Sequence, residues 1–262
     1  MPQKAVLIFS KVPVPGLVKT RLTQNTCLSE KDAAMIAEAM LKDTISLSSK
    51  SQADQIYIGY FPQNQKLILS DIVEKVRKEE NFIQSINYLL QEGSNFDERF
   101  SSVVNSAFNH GANNLVVIGA DLPYLEPILL NKTFELLSSA NCKKKVVIGP
   151  ANGGGIYLVG ITLEFDFNWF TKYKLFRGGI EIIQFSNFCK NMGIDMILLP
   201  PIGDIDLEED LVSLISYIEA LSVSKAYSGF FYPKYTAKII NELGLYIEEL
   251  KDITRNRKIG KK

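Results

Sequence analysis

An apolar run, Ala5-Val-Leu-Ile-Phe9, empties at once into a Pro/Gly loop, Ser10-Lys-Val-Pro-Val-Pro-Gly-Leu-Val-Lys-Thr-Arg21, and this junction limits the folds open to the chain. Short apolar runs between breakers read as buried strands. A buried strand opening into a rigid basic loop is a usual start for a phosphate site in an open α/β sheet, where ligands sit beyond the carboxyl ends of the strands. Pro13 and Pro15 fix φ, and Gly16 lets backbone N–H groups approach an anion. Lys11, Lys19 and Arg21 bring charge, and Arg21 offers a two-pronged grip on a phosphate. Ser10, Lys11, Gly16, Lys19 and Arg21 are therefore candidate ligand contacts, against the alternative of a solvated loop. The loop is not a P-loop, which needs Gly immediately before Lys and another Gly five positions further back; Val18 and Pro13 stand there. No G-x-G-x-x-G follows the strand, which argues against a dinucleotide site.

At 262 residues, 46% apolar, the chain can bury a sizeable core. Lys+Arg and Asp+Glu both number 29, a balance unlike the basic excess of a nucleic-acid binder. The exception is the end, where Lys251, Arg255, Arg257, Lys258, Lys261 and Lys262 face only Asp252; a solvated, frayed tail is expected. Cys27, Cys142 and Cys189 are scattered, without C-x-x-C, which suits reduced thiols in a cytoplasm. No signal peptide precedes the first strand, and no apolar run reaches the ~18 residues of a membrane span. The single histidine, His110, sits before Gly111 at the end of a helical pattern and reads as a helix-terminal residue, so histidine-based zinc sites are excluded.

Strand-like and helix-like segments alternate. Strands are expected over 4–10, 55–60, 86–91, 115–118, 146–148, 156–159 and 196–199. Helices are expected over 29–48, 66–78, after a cap at Ser94 or Asn95, from Glu126-Pro127, and over 181–192, 207–221 and 237–250. This order argues for a mostly parallel sheet with helices on both faces. Residues 1–221 read as one domain and 222–262 as a C-terminal helical arm that packs on the core, closes as a lid, or joins a second subunit as a homodimer contact.

Acidic motifs stand where strands end. Gly119-Ala-Asp-Leu-Pro123 follows one strand, and Gly203-Asp-Ile-Asp206 follows another. Carboxylates there suit Mg²⁺ or Mn²⁺, which takes one or two of them plus phosphate oxygens. Asp121 is a candidate for metal or ribose contact. Asp204 and Asp206 are expected to point oppositely, with Asp206 facing the site; its competing role is to cap the helix starting at Leu207, with Glu209 in support. Gly153 and Gly154, in Asn152-Gly-Gly-Gly155, suggest either a ligand close to the backbone or a hairpin turn. Gln91, in Gln91-Glu-Gly93, is a candidate nucleobase or sugar contact.

The opening motif resembles that of the DUF2064 family, and Gln91-Glu-Gly93, Gly119-Ala-Asp-Leu-Pro123, Gly149-Pro-Ala151 and Pro200-Pro-Ile-Gly-Asp-Ile-Asp-Leu-Glu-Glu-Asp-Leu211 follow in the family's order, over roughly residues 4–220. The family comprises GT-A-fold proteins similar to nucleotide-diphospho-sugar transferases, including arsenosugar-biosynthesis glycosyltransferases, and its fold is shared with phospholactate and molybdenum-cofactor guanylyltransferases. The resemblance implies a three-layer α/β/α fold with a mixed, mostly parallel sheet. It implies a nucleotide-sugar or NTP site, with base and diphosphate on the 11–21 loop and Asp121 near ribose and metal. The chain departs from the pattern twice: Asn152 stands where family members usually carry an acid, and Arg177-Gly-Gly-Ile180 replaces a Trp-Ser/Gly-Thr element. Both departures fall on the acceptor half.

The expectation is a cytoplasmic, metal-dependent glycosyltransferase acting on a small-molecule acceptor, with no nucleic-acid partner. Lys11, Lys19 and Arg21 would neutralise the diphosphate and Asp121 and Asp206 would hold the metal; no catalytic base is assigned, Asp204 and Glu181 being open choices. The alternatives are nucleotidyl transfer from an NTP to a phosphorylated or sugar-like acceptor, and a nucleotide-binding protein without turnover.

Overall fold

The structure, a computed structural model, describes residues 3–82, 84–139, 144–224, 231–249 and 257–262. Seven strands form the central sheet: β1 (Lys4–Lys11), β2 (Gln55–Phe61), β3 (Ile86–Leu90), β4 (Asn114–Gly119), β5 (Lys145–Pro150), β6 (Ile156–Thr162) and β7 (Asp195–Leu198). Their order is β3-β2-β1-β4-β6-β5-β7, and β6 alone runs antiparallel to its neighbours. The sheet is therefore mixed and mostly parallel, as expected. Ala5 to Ile8 are wholly buried, because β1 lies in the middle of a sheet covered on both faces.

Helices α1 (Glu30–Ser49), α2 (Lys66–Glu80) and α4 (Pro127–Ser138) cover one face, and α3 (Phe96–Asn109), α5 (Asn168–Tyr173) and α6 (Glu181–Met192) the other. Sequence-local chemistry sets their starts. Ser29 and Asp32 exchange hydrogen bonds across the first turn of α1, Asn95 accepts from Glu98 N at the head of α3, and Pro127 opens α4. His110 caps the far end of α3, its ring 2.7 Å from Ser106 O, at the end of the sheet away from the candidate site. The six-residue α5 was not expected; it is too short to show a helical period.

After β1 the chain moves through α1 to β2 and on to β3; after α3 it returns to the other side of β1 as β4. The strand order thus reverses between β1 and β4. That crevice is where ligands bind in open α/β sheets.

The C-terminal region corrects two expectations. The helix expected over 237–250 is α8 (Lys234–Glu242), ended by Gly244 at φ 61. Strand β8 (Leu245–Glu249) follows, paired antiparallel with β9 (Arg257–Lys261). The tail expected to fray is thus a strand where it is described: Ile259 is buried, its N–H donates to Glu208 at 2.8 Å, and Lys261 bonds Asp32 at 2.8 Å. With α7 (Glu208–Val223), these elements form a third apolar cluster against α1 that also holds Leu22 and Ile205. Cys27 and Cys189 are free thiols; Cys142, residues 227–230 of the arm and tail residues 251–256 lie outside the described residues.

Asp43, on α1 and almost fully buried, caps α8 from across the interface. Its carboxylate accepts from Tyr235 N (3.1 Å), Thr236 N (2.8 Å) and the Thr236 hydroxyl (2.6 Å). Burial outweighs these bonds and lifts the carboxyl to about 6. Asp43→Ala leaves buried donors without an acceptor and is expected to cost about 2–4 kcal/mol in denaturant unfolding. Because the folded value lies above the unfolded one, the stability this group contributes grows as pH falls through 6 and is lost as it rises. The stability gap between wild type and Asp43→Asn should therefore widen by about 1 kcal/mol from pH 7 to pH 5. An unchanged gap would contradict the assignment.

Candidate active site

Two adjoining cavities of about 690 and 640 Å³ open at the β1/β4 reversal and share Arg21, Phe96, Asp121, Asp204 and Asp206. The smaller is also lined by Ser10, Lys11, Lys19, Arg99 and Tyr157, the larger by Asn152, Gly153, Phe176, Gly179, Glu181 and Asp210.

The loop after β1 turns on Gly16 (φ 77), and the Lys11 ammonium bridges it by donating to Leu17 O at 3.4 Å. Lys19 then adopts φ 48, a left-handed conformation that costs a non-glycine residue roughly 1–2 kcal/mol. Strain of this kind clusters at functional sites. Here it accompanies an ammonium group turned into the cleft, where Lys19 Nζ lies 2.6 Å from Asp121 and 3.5 Å from Asp206. Arg21 takes the other oxygen of Asp206. Burial works to lower the Lys19 ammonium, but the charges of Asp121, Asp206 and Asp204 overcome it and raise it above the ordinary lysine value. Asp204 is raised as a carboxyl, first by burial and then by the charge of Asp121.

Both Asp204 and Asp206 line the cleft, which corrects the expectation that they diverge. Side chains alternate along an extended segment, so i and i+2 share a face; the residue pointing away is Ile205, fully buried in the third cluster. Asp206 does not cap α7. Asp210 does, accepting from Asp206 N at 3.0 Å and Leu207 N at 2.7 Å.

The other candidates divide. Ser10 and Lys11 line the smaller cavity and Gly153 the larger, whereas Gly16 shapes the loop without lining either. Gln91 is buried and donates to Ser10 O (2.9 Å) and Gly59 O (2.8 Å), so it clamps the ends of β1 and β2 behind the cleft. Gly154 lies in the β5–β6 hairpin at φ 84, where a Cβ would meet Gly179 O at 2.4 Å. The two glycine runs thus close one wall backbone to backbone. Phe96, 44% exposed, packs on Phe9 and Phe176 with centroids 5.1 and 4.9 Å away. Its place on the buried-face pattern of α3 hid this role. Among the described residues, no group of three or more His, Cys, Asp or Glu is gathered to hold a metal ion by itself.

Residues 61–178 match the model of the family described as "Uncharacterized protein conserved in bacteria (DUF2064)", a stretch that carries Asp121 and the glycine hairpin. Among solved structures, one from Desulfovibrio desulfuricans G20, provisionally named a nucleotide-diphospho-sugar transferase, is 24% identical over 92% of this chain and 95% of its own, with a TM-score of 0.71. A cytidylyltransferase from Leptospira borgpetersenii is 15% identical over 92% and 94%, TM-score 0.52. A 4-diphosphocytidyl-2C-methyl-D-erythritol synthase from Anaerococcus prevotii is 13% identical over 83% and 96%, TM-score 0.54. The fold is thus the GT-A-like one the motifs implied. No curated protein matches the chain, and no described helix is long and apolar enough to cross a membrane.

The charge balance of the cleft is directly testable. Lys19 pulls the Asp204 carboxyl down and Asp206 pushes it up. Carboxyl-carbon NMR titration should therefore find Asp204 raised further in Lys19→Met and lowered in Asp206→Asn. Shifts of the same sign in both variants would refute this arrangement.

Proposed function

We propose that this member of the DUF2064 family is a transferase using a nucleotide-activated sugar and a divalent cation, a glycosyltransferase by reaction type. The observation that carries the reading is the convergence of Lys19 and Arg21 with Asp121, Asp204 and Asp206 at the strand-order reversal. Residues 1–221 would form the transferase unit and 222–262 an arm behind it.

In this reading the diphosphate lies along the 10–21 loop. Lys11, Lys19 and Arg21 neutralise it, and Asp121 borders the ribose. The donor set suits a hard cation: three carboxylates, Asp121, Asp204 and Asp206, line the cleft beside Lys19 and Arg21. Mg²⁺ or Mn²⁺ held by Asp121 and Asp206 would supply stabilisation of the negative charge on the departing phosphate. Lys19 and Arg21, now on those carboxylates, are the groups a diphosphate would draw onto its own oxygens. Asp204, with its raised carboxyl, is suited to take the proton of an attacking hydroxyl.

Nucleotidyl transfer is the second reading, supported by the likeness of fold to the cytidylyltransferase. A thermal-shift panel of nucleotide sugars and NTPs, with and without Mg²⁺ or Mn²⁺, separates them, because a ligand of the native state raises its apparent stability by mass action. A metal-dependent rise with a nucleotide sugar, lost in Asp121→Ala, is expected. A rise with free NTPs only, and pyrophosphate release, would favour the second reading. Binding without product from any acceptor would leave a nucleotide-binding protein.

A further inference from the structure

The two cavities differ in charge. Beyond the shared Arg21, Asp121, Asp204 and Asp206, the loop side adds the cations Lys11, Lys19 and Arg99. The hairpin side adds the acids Glu181 and Asp210, so among the described residues lining it Arg21 is the one cation beside five carboxylates, of which Asp121 and Asp206 also pair with Lys19. One side of the cleft suits an anion and the other opposes it. A phosphate monoester entering the hairpin side would meet like charge at short range. Hydroxyl or ammonium groups would instead find charged acceptors, which make the stronger hydrogen bonds. Two carboxylates are positioned by backbone N–H groups: Glu181 accepts from Gly179 N at 2.9 Å, and Asp210 from Leu207 N at 2.7 Å. The same cavity has an apolar wall, the half-exposed Phe96 packed against Phe176, of the kind that receives the C–H face of a ring.

We infer that the acceptor is a hydroxyl-rich molecule without anionic groups, neutral or amine-bearing, seated on Phe96 and Phe176 with its polar groups toward Glu181 and Asp204. The inference deepens the transferase reading and rests on it. It also sets aside the phosphorylated acceptor that nucleotidyl transfer would admit.

The test uses the full chain labelled with 4-fluorophenylalanine, the Phe96 and Phe176 resonances being assigned through Phe96→Leu and Phe176→Leu. The protein is saturated with Mg²⁺ and the nucleoside diphosphate giving the largest thermal shift, so that anions cannot occupy the basic side. Glucose, glucosamine, glucose 6-phosphate and inorganic phosphate are then titrated separately. Glucose or glucosamine should move the two resonances at concentrations at least about tenfold below those needed with either phosphate probe, the factor expected of like charge at short range. Glu181→Gln, which keeps an acceptor for Gly179 N–H, should narrow that ratio. An equal or tighter response to the phosphate probes, or no response to any of the four, overturns the inference. If no nucleoside diphosphate shifts the melting temperature, the transferase reading fails and the inference that rests on it falls with it, whereas a diphosphate shift followed by either response above overturns the inference alone.

Discussion

Three segments far apart in sequence meet on one ammonium group. Lys19 is nearly enclosed, 11% exposed at its side chain, and draws together the loop after β1, the end of β4 and the 204–206 segment. Its value is not chiefly stability, since desolvating such a pair costs about what the attraction returns. Its value is arrangement. Asp121, Asp204 and Asp206 would repel one another in a half-buried cleft, and a cation among them lets all three face inward. The left-handed backbone at Lys19 is a local cost of that arrangement.

The C-terminal elements support the same cleft from behind. Leu22 follows Arg21 in sequence and Ile205 separates Asp204 from Asp206, and both are buried in the cluster built by α1, α7, α8, β8 and β9. Two cleft segments therefore stand on packing supplied partly by the last residues of the chain. Buried or half-buried acids hold this packing together, each by partners far away in sequence: Asp43 by the first turn of α8, Asp32 by Lys261, and Glu208 by Ile259 N–H. Loosening these elements would reach the cleft through Leu22 and Ile205.

What the sequence made legible was local or periodic. The β1 run, the Ser29–Asp32 exchange, Pro127 and the apolar faces of α3 and α6 each carry their structural cause within a few residues. The terminal hairpin does not. Gly244 was visible, but the choice between helix and strand for Leu245–Glu249 depends on pairing with Arg257–Lys261 across an intervening stretch. Likewise the basic tail looked solvated because its acidic partners, Glu248 and Asp32, lie elsewhere in the chain. Asp204 is a different case. Its position was in view, and an alternation argument applied across two residues instead of one pointed it the wrong way. Phe96 and the meeting of Gly154 with Gly179 arise only from packing and had no signal in sequence.

The departures on the acceptor half gain meaning from this geometry. Asn152 replaces an expected acid, and by sequence alone that leaves open acceptor chemistry that has changed or been lost. Yet the cavity beside Asn152 keeps a volume of about 690 Å³ and five carboxylates, from Asp121, Glu181, Asp204, Asp206 and Asp210. The second departure, Gly178-Gly179, lies against the hairpin, and the wall closes there because residue 154 has no side chain: a Cβ on Gly154 would meet Gly179 O at 2.4 Å. A neutral residue at 152 and two glycines opposite the hairpin reshape the cavity without emptying it. Three of the five carboxylates have structural partners, Asp121 and Asp206 on Lys19 and Arg21 and Asp210 on the first turn of α7, so the cavity keeps its shape and charge whether or not residue 152 is an acid.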